Sequence, residues 1–358
     1  MSDPFRPNPF RLAFGLMRLP KNPDGTIDIP QVSEMADRFI AAGGTYFDTA
    51  YVYDGGASEK AFKAAVADRF PRDTYTLATK LNAVLGAKDE KSAKEEFSIS
   101  LERTGAGYFD YYLLHAMQLA TYRKYDEYGL WDYVKGLKEK GLIRHWGFSF
   151  HATPDLLEKL LDAHPDAEFV QLQINYADWE NPGVASRRNW EICRERGKPV
   201  MIMEPVKGGI LADPIPAVRE IFDASGENVS YASWALRFAA GLEGVHAVLS
   251  GMSSIAQMED NLKTMKDFRP LDEREMELIR WPRRPWTRTN PSPARPATTA
   301  PKAAPWRSRS LRSSMSSTAA RAVRSSGLSG NTTSSPTAAV PRETALPAGS
   351  ANAPVPRG

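Results

Sequence analysis

From residue 10 to about 270 the chain repeats one pattern eight times: a short β-rich apolar run, then an amphipathic helical stretch. The runs cover 12–19, 45–49, 74–79, 108–114, 143–150, 169–173, 199–203 and 245–250. The helical stretches cover 30–42, 57–69, 90–104, 129–140, 153–163, 185–197, 214–223 with 229–240, and 254–266. In these, apolar residues recur at three and four, as in Leu156, Leu157, Leu160 and Leu161. Gly43, Gly44, Gly141 and Gly197 stand where helices should end. Eight unbroken strand–helix units predict an α/β fold, a parallel sheet closed into a (β/α)8 TIM barrel. The rival is an open doubly wound sheet, whose first turn carries Gly-x-Gly-x-x-Gly. Here that turn reads Phe14-Gly-Leu-Met-Arg-Leu-Pro20. The barrel is expected to occupy residues 1–280.

Charge divides the 358 residues unevenly. Residues 281–358 hold twelve Lys or Arg and one acid, Glu343; that segment carries +11 and leaves −8 on residues 1–280. The pI of about 8.8 therefore describes the tail, and no nucleic-acid partner is expected for the folded part. The only cysteine, Cys193, excludes an intramolecular disulfide framework and a multi-cysteine metal site. It lies in a helical pattern and reads as an inert, buried or half-buried thiol. The N-terminus has no signal-peptide core and no segment reaches about 18 uninterrupted apolar residues. A cytoplasmic protein with no membrane partner is expected. Nothing in the sequence reads on oligomeric state.

In such a barrel the chemistry sits at the C-terminal ends of the strands. Asp48 stands at the end of the second run, with Tyr53 beyond it; the third run is followed by Lys80, the fourth by His115. A free tyrosine titrates near 10, too high for an efficient acid at neutral pH. Lys80 would lower that value, Asp48 would hold Lys80, and His115 would orient a carbonyl oxygen. Taken singly, each residue has an ordinary role as a cap, a loop lysine, a structural histidine or a packing aromatic. Their convergence at successive strand ends favours a tuned proton donor. A hydride source is still required, and side chains cannot supply one.

Phe47-Asp-Thr-Ala-Tyr-Val-Tyr53 with Ser58-Glu59, Leu77-Ala-Thr-Lys80 and Asp110-Tyr-Tyr-Leu-Leu-His115 resemble, in order, the signature motifs of the aldo-keto reductases. The resemblance spans about residues 10–280. It implies the tetrad Asp48, Tyr53, Lys80 and His115, a small carbonyl substrate, and NADP(H), with NAD(H) as the alternative cofactor. Relatives that reduce steroid double bonds carry Glu where His115 stands, so a carbonyl reductase is implied. Ser149 and Gln173 resemble the residues that meet the nicotinamide amide. The commoner family form has Asn after that serine, where this chain has Phe150. Glu204, Lys207 and Gly208 fall in the segment resembling the pyrophosphate loop. Gly251, Ser253, Gln257 and Asn261 fall in the adenosine-phosphate segment, with Ser253 and Ser254 expected to cap the next helix. No basic residue precedes Lys263 there, which weakens selection for a 2′-phosphate. Substrate choice is expected from the loops 117–130 and 177–185, where Trp131 and Trp179 either line the pocket or pack.

Residues 281–358 lack Ile, Phe, Tyr, Asp, Gln, His and Cys, a composition that predicts disorder. The closest resemblance is to a branch of the family carrying a C-terminal ferredoxin-like segment, whose ligands run C-x2-C-x2-C-x3-C-P. Ala294, Ala297, Ala300 and Ala304, followed by Pro305, share that spacing. Alanine codons begin GC, so reading one base earlier turns each into NGC, and TGC is cysteine. A frameshift near residue 280 is therefore expected; as written, the chain offers no iron–sulfur ligands and no metal site. Two rivals remain: a non-catalytic nicotinamide-binding subunit or sensor, and a nucleic-acid adaptor acting through the basic tail.

Overall fold

A computed structural model describes residues 10–288, with side chains described through residue 280. Eight parallel strands close a barrel in chain order: β1 (Leu12–Gly15), β2 (Tyr46–Asp48), β3 (Thr76–Leu81), β4 (Phe109–Met117), β5 (Ile143–Phe150), β6 (Phe169–Gln173), β7 (Val200–Met203) and β8 (Val245–Gly251). The ring is completed where the first strand pairs with the last, from Leu12↔Val248 to Gly15↔Gly251. Around it lie α1 (Ile29–Ala41), α2 (Ala57–Phe62), α3 (Glu90–Thr104), α4 (Tyr122–Glu127), α5 (Leu130–Glu139), α6 (Pro154–Ala163), α7 (Ser186–Glu195), α8 (Pro216–Asp223), α9 (Tyr231–Gly241), α10 (Ile255–Lys266) and α11 (Glu273–Arg288). The expected TIM barrel is the fold found.

Helix α1 illustrates how the outer layer forms. Asp28 accepts a hydrogen bond from Gln31 N and Pro30 follows in the first turn, so the helix starts there. Val32, Met35, Ala36 and Phe39 recur on one face and are buried. Phe39 packs edge-on against Phe47 at 5.2 Å and meets Phe14 at 5.9 Å, covering β1 and β2. The chain leaves the helix through Gly43, at φ +94°, and Gly44 has no room for a side chain, because a Cβ there would lie 2.5 Å from the Phe39 ring.

Side chains alternate across each strand, so every second residue points into the barrel. Tyr46 stacks on Tyr111 at 5.0 Å, Tyr111 meets Phe169 at 5.5 Å, and the Tyr111 hydroxyl lies 3.3 Å from His246 Nε2. These residues sit on β2, β4, β6 and β8, so their contacts pass through the interior and fill its lower layer. Climbing the same stripes, Tyr46 leads to Asp48, Ala78 to Lys80, Tyr111 and Leu113 to His115, and Phe169 to Gln171 and Gln173. The interior is therefore apolar below and polar at the C-terminal mouth.

Several boundaries differ from expectation. The run 12–19 is a strand only to Gly15; Leu16–Arg18 forms a 3-10 turn. Strands β3 and β4 end later, so Lys80 and His115 lie within them. The stretch 57–69 is an α-helix to Phe62 and a π-turn over Lys63–Ala67, and the loop 117–130 contains α4. Helix α11 carries the described chain past residue 280. Ala294, Ala297, Ala300, Ala304 and Pro305, with the frame reading and the predicted tail disorder, lie outside the described residues. Trp131 stacks on His164 at 3.7 Å and touches Phe148, while Trp179 packs edge-on to Phe238 at 5.3 Å. Trp131 is buried in the outer layer, and Trp179 is half-buried against it. Cys193 is buried, and burial pushes its thiol up to about 12. Among the described residues no helix is long and apolar enough to cross a membrane, and no group of three or more His, Cys, Asp or Glu could hold a metal ion.

Candidate active site

The four expected residues meet at the mouth. Lys80 Nζ lies 2.5 Å from Asp48 Oδ1, 2.6 Å from the Thr49 carbonyl and 3.4 Å from the Tyr53 hydroxyl. The His115 ring stands edge-on to the Tyr53 ring, centroids 5.7 Å apart. Gln171, one turn of the pleat below Gln173, donates to Asp48 Oδ2 at 3.3 Å. Burial, the largest influence on Lys80, pulls its pKa down, but Asp48 and the Tyr53 phenol outweigh it and the ammonium ends above its usual range. Burial raises Asp48, against Lys80 and Gln171. Both partners thus move upward, which on Asp48 alone would argue for a neutral pair. The 2.5 Å contact and the second hydrogen bond from Gln171 favour the ionised pair. The expectation that Lys80 lowers the Tyr53 phenol holds only as one component. Burial outweighs it, Asp48 and Glu204 add to the rise, and the net displacement is upward. His115 is held well below its usual range by burial, then by Lys80 and His151, so its imidazole is uncharged at neutral pH. Its buried Nδ1 has no hydrogen-bond partner among the described residues.

The loop bearing Tyr53 is fixed from behind. Ser58 Oγ lies 2.7 Å from Thr49 Oγ1 and donates to the Leu16 carbonyl; Glu59 accepts from Thr79 Oγ1 at 2.8 Å and from Arg103. The Ser58-Glu59 pair is therefore a brace linking the segments after β1, β2 and β3. Among the described residues, the non-glycine residues with positive φ are Asp54, Ala116, Ala185, Glu204 and Lys207. Each lies at or beyond the C-terminal end of β2, β4, β6 or β7, the face that carries the chemistry.

The expected cofactor residues occupy the same mouth. Ser149 accepts from Ala116 N at 2.7 Å. Gln173 and Glu204 have no side-chain hydrogen bond among the described residues. Lys207 forms an ion pair with the buried Asp178, which Asn175 Nδ2 also meets at 3.0 Å. Asn261 Nδ2 donates to Ser250 Oγ at 2.9 Å. Ser254 caps α10 by accepting from Gln257 N, but Ser253 does not: its hydroxyl donates to the Arg18 carbonyl, and its N–H is taken by Gln257 Oε1 at 2.7 Å.

Three residues went unassigned in the sequence. Gln171 shares the inward stripe of Gln173, and period two would have found it. His151 likewise continues the stripe of Gly147 and Ser149. Phe150 faces the other way, 6.3 Å from Phe148 in the outer layer. Arg18 sat inside an expected strand. Its exposed side chain runs between the two expected phosphate segments: a Cβ on Gly251 would lie 3.4 Å from its Cδ, and one on Gly208 3.4 Å from Nη2. The guanidinium has no partner among the described residues.

Family comparison agrees with the fold. The aldo/keto reductase family matches residues 11–281, and the chain belongs to that family of oxidoreductases. It is similar to an L-galactose dehydrogenase of Arabidopsis thaliana, 26% identical over 257 residues, covering 64% of this chain and 76% of that protein. Among solved structures it resembles an aldo-keto reductase from Klebsiella pneumoniae in complex with NADPH, with TM-score 0.61 and 20% identity over 76% of this chain and 91% of that one. Another is the holo form of the aldo-keto reductase AKR11C1 from Bacillus halodurans, with TM-score 0.59 and 24% identity over the same shares.

Proposed function

We propose that this chain reduces an aldehyde or ketone to an alcohol, with Tyr53 as the proton donor and NADP(H) as the hydride source. The observation that carries this reading is the Lys80 ammonium set between Asp48 Oδ1 and the Tyr53 hydroxyl, with His115 beside the phenol. The uncharged His115 and the Tyr53 hydroxyl both donate toward one carbonyl oxygen. Negative charge gathers on that oxygen as the carbonyl carbon is reduced, and the Tyr53 O–H bond then breaks toward it. Lys80 stabilises the phenolate left behind, and Asp48 and the Thr49 carbonyl keep Lys80 in place.

When bound, the dinucleotide supplies the hydride to the carbonyl carbon. The mouth suits such a group: among the described residues Arg18, beside Gly208 and Gly251, has no partner for its guanidinium, and Gln173 and Glu204 have no side-chain hydrogen bond. Ser149 and Gln173 are proposed for the nicotinamide amide. Arg18, Glu204, Lys207, Gly208, Gly251, Ser253, Gln257 and Asn261 are proposed for the phosphates and adenosine. Kinship with the iron–sulfur branch also stands as a proposal, and it requires TGC across the four alanine codons in the gene.

The test is a screen of simple aldehydes and ketones with NADPH and with NADH, followed at the nicotinamide absorbance. Turnover is expected, and Tyr53→Phe should lower kcat by about a hundredfold to ten-thousandfold with NADPH binding kept. A variant retaining a tenth of the activity removes Tyr53 from the role of acid.

A further inference from the structure

The mouth holds a second imidazole that the reduction just described does not use. On β5, Phe148 and Phe150 point outward: Phe148 meets Trp131 of α5 at 5.9 Å and Phe150 at 6.3 Å. Gly147, Ser149 and His151 therefore form the inward stripe. His151 sits just past the strand, anchored by its N–H to the Met117 carbonyl at 2.9 Å. Ser149, two residues earlier, accepts from Ala116 N, level with His115. His151 thus stands about 7 Å further up the mouth than His115, at some 3.3 Å per residue. Its ring has no hydrogen-bond partner among the described residues. It is close enough to Lys80 for that charge, after burial, to push its pKa down to about 4. At neutral pH it is an uncharged ring with one N–H to donate.

In the reduction proposed above, Tyr53 and His115 serve the reacting carbonyl oxygen, and His151, further along the inward stripe and within reach of the Lys80 charge, faces the mouth beside them. We propose that His151 is a substrate-selecting residue: its ring N–H binds a second oxygen on the carbon next to the reacting carbonyl. The enzyme then prefers 2-hydroxyaldehydes and related 2-oxygenated carbonyls over plain ones. This rests on the carbonyl-reductase reading and deepens it. A buried donor built for a substrate oxygen discriminates strongly, because a substrate lacking that oxygen leaves the donor unpaired.

The test compares lactaldehyde with 2-methylpropanal, which differ by hydroxyl against methyl at one carbon. The wild type is expected to favour lactaldehyde in kcat/KM by about tenfold or more. His151→Leu should erase most of that ratio, and His151→Gln, which keeps a donor, should restore part of it. The Kd for NADPH, read by protein fluorescence, should be the same in all three. A wild type indifferent to the hydroxyl, or a His151→Leu variant with the ratio intact, overturns the proposal. So does a ratio that changes only together with a weakened Kd for NADPH, which would place His151 against the cofactor. A wild type that reduces neither aldehyde with either coenzyme overturns the underlying carbonyl reading instead.

Discussion

Lys80 is fully buried and touches three oxygens, and its removal should be felt in two separate measurements. Without the ammonium, Asp48 becomes an uncompensated buried charge, and breaking such a pair costs about 3–5 kcal/mol. Lys80→Met should therefore lose that much stability in urea titration, and adding Asp48→Asn should recover part of it. The second effect is on acidity. Lys80 opposes the upward push of burial on Tyr53, so its loss moves the phenol higher still. Reduction needs the phenol protonated, so the high-pH fall of any residual activity should shift to higher pH. An unshifted profile in an active variant separates Lys80 from the tyrosine. The meeting of Asp48, Lys80 and His115 was legible in the sequence because each continues an inward stripe of its strand, and Tyr53 stands on the turn just beyond β2. Arg18 was hidden because the apolar run 12–19 masked the turn after Gly15, and the net rise of the Tyr53 phenol was hidden because burial of the mouth is a property of the assembled barrel.

Helix α3 ties the segment after β3 to the outer layer through one carboxyl group. Glu96 Oε2 accepts from Asn82 N at 2.8 Å, and Oε1 is buried with no hydrogen-bond partner among the described residues. Burial pushes this carboxyl up to about 8, against the Asn82 hydrogen bond; Glu59 adds to the rise and Arg103 opposes it. A carboxyl whose folded pKa lies above its unfolded value holds its proton more tightly in the folded chain. Stability then falls as pH climbs from about 4.5 to about 8. Glu96→Gln mimics the protonated form and can keep the Asn82 bond. Its melting temperature should match the wild type near pH 5 and exceed it increasingly toward pH 9; parallel curves would mean Glu96 titrates normally. At this scale the sequence located every strand but not every boundary. Strands β3 and β4 continue past their apolar runs to Lys80, which is ion-paired with Asp48, and to His115, whose ring meets Tyr53, and periodicity registers neither contact. Helix α4 is too short for its period to stand out from a loop.

The whole barrel is closed by a joint between its first and last strands, Leu12↔Val248 to Gly15↔Gly251. The order of eight units could be read from the chain, because each strand pairs with its neighbours in sequence and only this pair spans the full length. The residues proposed for the dinucleotide straddle it: Arg18 follows β1, while Gly251 and Ser253 follow β8, and Ser253 already donates to the Arg18 carbonyl at 2.7 Å. A dinucleotide held there would rivet the joint shut. Parting these two strands opens the ring, and the rivet would have to come out first. Ligands that bind only the closed ring stabilise it by mass action, and contacts absent from the folding transition state act on unfolding alone. Saturating NADPH should therefore slow unfolding in stopped-flow denaturant jumps and leave refolding at its ligand-free rate. Faster refolding with unchanged unfolding would mean that the ring closes early and the dinucleotide helps to close it.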